Sequence, residues 1–397
     1  ALNIKKESLG FDHKQVMPIE KCNNKDQYKF MKNKKRMLFF LPVIVLTVLF
    51  LIICSKYPYL PKVLYYQSPG IETYKIFPQD KVQPSNKPFY FIRATVQRND
   101  LDTLEVYNSK HELVPFLSYL KGVHAKVFMV IRNDTIIYEK YAEGYADSTL
   151  MPTLSISKSM LSVMTGIALE DKSIKSINDK ITQYIPELKD NPVFKDITIK
   201  NLLMMQSGIK YKEMGKGFIS NLLSDEGKYY YGNDVKKELR QLIKDTISGT
   251  KWQYKSVDPL LLGWVLEEAT GKIIANYFEQ KVWQPIGAEY AASWALDQEN
   301  GLANTASKFQ TTAIDLAKVG RLYLNKGKYN TMQILPEEWI AQSITIGHQK
   351  PLSSKYWQES AHNYYWWIPQ QGQKGDYSAE GMGGQILYVN PKNNTII

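Results

Sequence analysis

Four serines in this chain of 397 residues stand three positions before a lysine, a spacing that could support covalent catalysis. A serine hydroxyl is a weak nucleophile unless a neighbouring base takes its proton, and a partly desolvated lysine can act as that base. In a helix, residues at i and i+3 lie one turn apart on the same face, so such a lysine can reach the hydroxyl. The candidate pairs are Ser118/Lys121, Ser155/Lys158, Ser207/Lys210 and Ser248/Lys251.

The sequence context favours Ser155 among these four. It follows an extended segment and begins a strongly apolar helical pattern from Ser157 to Asp171, whereas Ser207 and Ser248 are each followed by glycine, which suits a turn. Ser118 stands at a helix end. A helix N-terminus also offers free N–H groups and positive potential to a developing oxyanion. The other interpretation of Ser155 is a helix-capping serine whose lysine is solvated.

Two later motifs argue against the interpretation of Ser155 as a helix-capping serine. Tyr254-Lys255-Ser256 follows about a hundred residues on, and Gly381-Met382-Gly383-Gly384-Gln385 precedes a final strand pattern that ends at Asn390. The order S-x-x-K, Tyr-x-Ser/Asn and a glycine-containing strand resembles the serine β-lactamase and penicillin-recognising superfamily, especially class C β-lactamases and their relatives. The stretches ITIKNLLMMQSGI and YKSVDPLLLGWVLEEATGK look closest to the branch of 6-aminohexanoate-dimer hydrolase and related esterases. The resemblance covers roughly residues 110–397.

The resemblance implies a role for each residue of the first two motifs. Ser155 would be the acylated nucleophile, and Lys158 would accept its proton. Tyr254 would be a second base that relays a proton to the leaving group, although it could also be one of 27 packed tyrosines. Ser256 stands where many relatives have asparagine and would hydrogen-bond the lysine.

The third motif departs from the family pattern. The resemblance implies an oxyanion hole formed by the backbone N–H groups of Ser155 and Gln385, with Gly383 and Gly384 beside the substrate. Met382 stands where β-lactamases and DD-peptidases usually carry a lysine or histidine that holds a substrate carboxylate. A thioether supplies no charge, so the sequence argues for a small amide or ester, or for a substrate whose carboxylate is held elsewhere, for example by an arginine or lysine of another loop. A D-alanyl peptidase or β-lactamase, and a non-catalytic penicillin-recognising sensor, are the alternatives.

The expected fold is α+β and β-lactamase/transpeptidase-like, with an antiparallel sheet flanked by helices and a mostly helical second lobe. Local patterns agree with it: a hairpin over 126–141, helices over 157–171 and 259–270, and a last strand over 385–390. The five histidines show no metal-ligand spacing, and serine, lysine and tyrosine would supply the nucleophile and bases. We therefore expect no cofactor and no metal.

Residues 37–54 contain no charge and could span about 27 Å as a helix, enough for a bilayer core. The sequence therefore predicts a basic tail (1–36), a transmembrane anchor (37–54), a Pro/Tyr-rich stalk (55–90) and a hydrolase domain (91–397). The cations just before the anchor predict that the tail is cytoplasmic and the hydrolase domain extracytoplasmic. A cleaved signal segment and a lipoprotein processed at Cys54 are alternative interpretations of the apolar run.

The net charge of +11 is concentrated at the N-terminus, where residues 1–36 hold ten cations and four carboxylates. The globular part is therefore only mildly basic, and topology and lipid headgroups explain the tail better than nucleic acid does. The predicted partners are a small-molecule amide, ester or peptide substrate and a membrane, with no nucleic acid.

Overall fold

The computed structural model describes residues 24–215, 217–346, 360–369 and 375–397. The chain divides into two compact units, Ala1–Tyr57 and Pro58–Ile397. The second unit contains all the predicted site residues.

The first unit contains one long helix, α1 (Asn24–Lys56), with Pro42 inside it. Its stretch Met31–Lys56 has a mean hydropathy of 3.1 and is not buried against the protein. Among the described residues it is the one helix long and apolar enough to cross a membrane, and it includes the predicted span 37–54. Residues 1–23 of the predicted basic tail lie outside the described part of the chain.

The second unit alternates short strands with helices along the chain. The helices are α2 (Leu60–Tyr66), α3 (Phe116–Gly122), α4 (Ile156–Glu170), α5 (Ile199–Leu203), α6 (Phe218–Leu222), α7 (Asp225–Tyr231), α8 (Val235–Arg240), α9 (Val257–Thr270), α10 (Ile274–Phe278), α11 (Ala313–Leu324) and α12 (Glu337–Ser343). Short 3₁₀ helices cover Thr73–Ile76, Asn99–Thr103, Ile181–Gln183, Pro186–Leu188 and Pro192–Phe194, and a π-helix covers Glu279–Trp283. The strands are β1 (Gln79–Val82), β2 (Ile92–Arg93), β3 (Glu105–Tyr107), β4 (Leu113–Pro115), β5 (Val127–Arg132), β6 (Thr135–Tyr141), β7 (Met151–Pro152), β8 (Ala292–Ala295), β9 (Phe309–Thr311), β10 (Lys328–Tyr329), β11 (Met332–Gln333), β12 (Ser360–Asn363), β13 (Trp366–Pro369), β14 (Tyr377–Gly381), β15 (Gln385–Asn390) and β16 (Thr395–Ile396).

The main sheet has eight strands in the order β12-β13-β14-β15-β16-β5-β6-β2. Neighbouring strands run antiparallel except for the short parallel pair β2/β6. Strand β16 pairs with β5, so the C-terminal strands join the N-terminal hairpin in one sheet. This confirms the predicted α+β class, in which a sheet unites both ends of the domain.

The predicted hairpin and helices are present with bounds that differ by one or two residues. Strands β5 and β6 meet at a turn where Asn133 and Asp134 have φ of 51° and 58°, a left-handed conformation that suits a tight hairpin. Helix α9 ends at Gly271, whose φ of 65° provides the left-handed C-cap. Strand β15 covers the predicted residues Gln385–Asn390.

The region predicted as an extended stalk differs from that prediction. From Pro58 onward it belongs to the compact unit, and Val63, Phe77 and Val82 are almost completely buried in it. Strand β1 also pairs with β8. Prolines end the local helices and strands here, but the apolar side chains between them have partners in the domain, and burying them stabilises the docked conformation.

Two helices, α4 and α9, lie in the middle of the hydrophobic core and are buried along most of their length. Residues 305–309 connect them: Thr305 Oγ1 donates to the Pro259 carbonyl of α9 at 2.7 Å, and the Phe309 N–H donates to Ser157 Oγ of α4 at 3.1 Å. A side chain at Gly263 would prevent this arrangement, because its Cβ would lie 2.5 Å from Thr305 Oγ1. The first turns of both helices are thereby fixed relative to each other.

Candidate active site

Ser155 immediately precedes the first residue of α4. Leu154 before it is buried and has a φ of 48°, a left-handed conformation that costs about 1–3 kcal/mol for a non-glycine residue and is found most often at functional sites. The Ile156 N–H donates to the Thr153 carbonyl at 3.2 Å. The Ser155 side chain caps no backbone N–H of the helix. Its hydroxyl is therefore available to another side chain.

Lys158 supplies that side chain. Its Nζ donates to Ser155 Oγ at 2.9 Å and to the Ala306 carbonyl at 2.8 Å, and the residue is only 2% exposed. Both acceptors are neutral oxygens, so neither hydrogen bond depends on a carboxylate. The sequence prediction that Lys158 can reach the hydroxyl one turn away agrees with this geometry.

The competing Ser-x-x-Lys pairs have other contacts. The Ser207 hydroxyl donates to Asp258 Oδ1 at 2.5 Å, and the Ser248 hydroxyl donates to the Ser207 carbonyl at 2.8 Å. Ser118 lies inside the short helix α3, and its side chain is exposed. These contacts are structural, and they leave Ser155 as the serine that is paired with its lysine.

Tyr254 is brought next to Lys158 although almost a hundred residues separate them in sequence. Lys158 Nζ lies 5.0 Å from the centroid of the Tyr254 ring. The Tyr254 ring also contacts two other rings. It lies 6.0 Å from the Trp367 ring in a stacked arrangement and 5.9 Å from the His362 ring, edge to face. These contacts hold the tyrosine ring against Lys158.

His362, on strand β12, is a residue of this cluster for which the sequence offered no signal. It is 1% exposed, and its Nδ1 has no hydrogen-bond partner among the described residues. Burial, together with the nearby charge of Lys158, lowers the pKa of His362 to about 3. The imidazole is thus neutral at physiological pH and packs as an aromatic ring beside Tyr254.

Ser256 lies at the start of α9, and its polar groups turn toward Glu213. The Ser256 N–H donates to Glu213 Oε1, and the Ser256 hydroxyl lies 3.4 Å from Oε2. The predicted hydrogen bond from Ser256 to Lys158 is not among the contacts of the described residues. Glu213 was not singled out from the sequence, because an isolated glutamate in a loop carries no pattern.

Burial and the neighbouring carboxylate of Glu226 raise the pKa of Glu213 to about 8, while the charge of Lys158 and the hydrogen bonds from Ser256 oppose that rise. A group that desolvation pushes toward its neutral form in this way is common at functional sites. Glu213 is therefore a titratable group close enough to Lys158 to feel its charge.

The third motif forms the hairpin between β14 and β15, in which Gly381 pairs with Gln385. Gly381 lies next to Ser155: a Cβ there would lie 3.2 Å from Ser155 N and 2.5 Å from the Thr153 carbonyl oxygen. Gly383 and Gly384 occupy the turn with φ of 81° and 86°. Met382 begins that turn and is 46% exposed. The hairpin thus lies beside the residues that precede α4.

Among the described residues, no group of three or more histidine, cysteine, aspartate or glutamate side chains is arranged to hold a metal ion.

Comparisons with known proteins agree with this geometry. The profile of the family described as Beta-lactamase matches residues 119–397. The chain is 25% identical to a 6-aminohexanoate-dimer hydrolase of Paenarthrobacter ureafaciens over 282 residues, which cover 68% of this chain and 70% of that protein. It is 26% identical to a teichoic acid D-alanine hydrolase of Staphylococcus aureus over 47% of this chain and 46% of that protein.

A solved structure from Bacillus anthracis, described as a candidate 6-aminohexanoate-dimer hydrolase, superposes with a TM-score of 0.71 at 24% identity. The match covers 81% of this chain and 84% of that one. The likeness confirms the predicted β-lactamase/transpeptidase-like fold.

Proposed function

Because the chain belongs to the β-lactamase family, we propose that it is a serine hydrolase that forms an acyl-enzyme on Ser155 and acts on a small amide or ester. The observation that carries the proposal is the 2.9 Å contact between Lys158 Nζ and Ser155 Oγ. It pairs a hydroxyl nucleophile with a buried amine base at the start of a core helix, where both are held in place.

In the proposed reaction, Lys158 in its neutral form accepts the Ser155 hydroxyl proton while Oγ bonds to the substrate carbonyl carbon. The tetrahedral intermediate collapses when the bond to the leaving nitrogen or oxygen breaks. The proton then passes to that atom, with Tyr254 as the relay. A water molecule next attacks the acyl carbon, its proton returns through the same side chains, and the released acid leaves Ser155 regenerated.

The developing oxyanion would be stabilised at the N-terminus of α4. No acidic residue occupies the first turn of this helix, so the helix dipole and the Ser155 N–H are both available to a negative charge. The sequence predicted the Gln385 N–H as the second donor. The approach of Gly381 to Ser155 N supports a donor from this hairpin, and the N–H of Met382, the next residue along the chain, joins Gln385 as a candidate.

The proposed substrate class is an amide or ester whose recognition does not depend on a cation at Met382. The similar proteins are named for hydrolysis of a 6-aminohexanoate dimer and of teichoic acid D-alanine. A charge-assisted hydrogen bond to a carboxylate is worth about 1.5–3 kcal/mol, which a thioether does not provide. Lys255, the residue after Tyr254, is buried, and its Nζ donates to the Ile209 carbonyl at 3.0 Å.

The nucleophile assignment is tested by covalent labelling with a serine-reactive phosphonate. Ser155→Ala should abolish the label, whereas Ser118→Ala, Ser207→Ala and Ser248→Ala should largely keep it. Loss of the label in one of those three variants together with its retention in Ser155→Ala would refute the assignment. Labelling of the wild type without product release from any substrate would favour the non-catalytic sensor.

The substrate class is tested with chromogenic esters, ω-amino-acid oligomers, cephalosporins and D-alanyl peptides. Wild type should prefer neutral esters or amides. Met382→Lys should shift the ratio of kcat/KM toward carboxylate-bearing substrates by about tenfold. Rapid hydrolysis of penicillins by the wild type would instead support the β-lactamase alternative.

We further propose that α1 anchors the chain in a membrane with the hydrolase domain outside the cytoplasm. Its length and apolar composition and the cations around residues 32–36 support this orientation. In spheroplasts, added protease should digest the domain and spare the lysine-rich tail. Protection of the domain would contradict the orientation.

A further inference from the structure

We propose that Glu213 is a positioning residue of this active site: by holding Ser256 it fixes the Tyr254-Lys255-Ser256 turn, and with it the Tyr254 ring, against Lys158. The inference rests on the proposed function, because it assigns a partner to the residues that would carry out the acyl transfer.

The first observation is the pair of contacts between Glu213 and Ser256. The two carboxyl oxygens face different groups of the serine, since Oε1 accepts its N–H and Oε2 lies 3.4 Å from its hydroxyl. Two contacts to one residue define its orientation better than a single hydrogen bond does. Ser256 is two residues from Tyr254 and begins α9, so a fixed Ser256 restricts where the Tyr254 ring can lie.

The second observation is the set of charged and titratable groups around the Glu213 carboxyl. Lys158 on α4 attracts its negative charge, and Glu226 on α7 repels it. Glu226 is itself buried and accepts a hydrogen bond from the Tyr211 hydroxyl at 2.5 Å. Glu213 thus interacts electrostatically with Lys158 and with a second buried carboxyl.

The third observation concerns the length of the side chain at position 256. A serine hydroxyl ends one atom beyond Cβ, so it reaches only groups that lie close to its own backbone. Lys158 Nζ donates to Ser155 and Ala306, and Ser256 instead contacts the Glu213 carboxyl. The conformation of the Tyr254-Lys255-Ser256 turn then depends on Glu213 as well as on Ser256.

An ionised carboxylate accepts from both Ser256 groups, whereas a protonated one offers one acceptor fewer. Because the pKa of Glu213 is raised to about 8, its proton is lost within the range in which activity can be measured. The acylation rate should therefore contain an inflection near pH 8 that belongs to Glu213.

The experiment measures kcat, KM and the rate of phosphonate labelling from pH 6 to 10 for the full chain and three variants. Glu213→Ala removes the anchor, Glu213→Gln keeps an oxygen acceptor for the Ser256 N–H but cannot ionise, and Glu187→Ala is the control at an exposed glutamate paired with Arg240. Thermal unfolding of each variant is recorded in parallel.

We expect Glu213→Ala to lower kcat about 30-fold while KM for a neutral ester changes less than about threefold. Glu213→Gln should recover most of kcat at pH 7 but lose the inflection near pH 8. Glu187→Ala should match the wild type. If Glu213→Ala does not fold, the lost inflection in Glu213→Gln still tests the inference.

A kcat of Glu213→Ala within twofold of the wild type would overturn the inference, as would an unchanged inflection in Glu213→Gln. These results are distinguishable from failure of the proposed function. If Ser155→Ala keeps activity, the nucleophile assignment is wrong. If Ser155→Ala is inactive while both Glu213 variants behave as wild type, only the role of Glu213 is wrong.

Discussion

Helices α4 and α9 begin in similar ways but differ in what surrounds their first turns. They have 15 and 14 residues, each is preceded by a serine in a right-handed helical conformation, and neither serine caps its own helix. A helix N-terminus presents unpaired N–H groups and a partial positive charge. At α9 two carboxyl groups already lie at this end, since Asp258 lies in the first turn and Glu213 accepts the Ser256 N–H. At α4 no acidic residue occupies the first turn.

The lysines beside the two serines differ in their hydrogen-bond partners. Lys158 and Lys255 are almost equally buried, at 2% and 1% exposure. Lys158 donates to the Ser155 hydroxyl, whereas Lys255 donates to the Ile209 carbonyl and is attracted by Asp258. The proposed function therefore depends on two features that only the start of α4 has: a serine hydroxyl paired with its lysine, and a first turn without an acidic residue.

Replacing each lysine by methionine tests this comparison most strongly. Lys158→Met should lower kcat/KM about 10³-fold or more, because a positioned base typically contributes 10²–10⁴-fold. Lys255→Met should reduce thermal stability but leave kcat/KM within about threefold once the protein is folded. Steady-state kinetics at a temperature where both variants are folded provide the measurement. Equal losses of activity in both variants would mean that the two helix starts do not differ as proposed.

A second test concerns Gly381, whose backbone lies close to Ser155 at the start of α4. Gly381→Ala should lower kcat/KM by about 10- to 100-fold, since its Cβ would lie 2.5 Å from the Thr153 carbonyl oxygen and would displace the hairpin from Ser155 N. Gly122→Ala is the matched control, because no atom lies within 4 Å of a Cβ at that position. An active Gly381→Ala enzyme would show that the oxyanion hole does not need this close approach.

The sequence predicts the pairing at the start of α4, but it does not predict most of the contacts at the start of α9. The pairing of Ser155 with Lys158 follows from helical spacing, which is local. The contacts of Ser256 with Glu213 and of Tyr254 with His362 join segments 43 and 108 residues apart, and no residue type or spacing marks them in a single sequence. The stalk prediction was wrong for a related reason: proline content describes local conformation, whereas the docking of Val63 and Phe77 depends on apolar partners far along the chain.

The smallest expected effect is on the pH dependence of stability at α9. Burial raises the pKa of Asp258 from its usual value to about 7, and its hydrogen bonds from Ser207 and the charge of Lys255 only partly offset this. The folded protein holds a proton on Asp258 at pH values where the unfolded chain has lost it. The stability contributed by that proton is therefore present below about pH 4 and is lost as the pH rises to about 7.

Asp258→Asn cannot lose a proton, so its Tm relative to the wild type should increase between pH 4 and pH 8, by roughly a few degrees for a chain of this size. Ser155→Ala is the control at the other helix start: no acidic residue lies in the first turn of α4, and the Tm difference from the wild type should stay constant over the same range. Differential scanning calorimetry at matched ionic strength measures both differences. A Tm difference between Asp258→Asn and the wild type that is also independent of pH would contradict the prediction. The pKa of Asp258 would then be the same in the folded and unfolded states, and burial at α9 would not disfavour the ionised carboxylate.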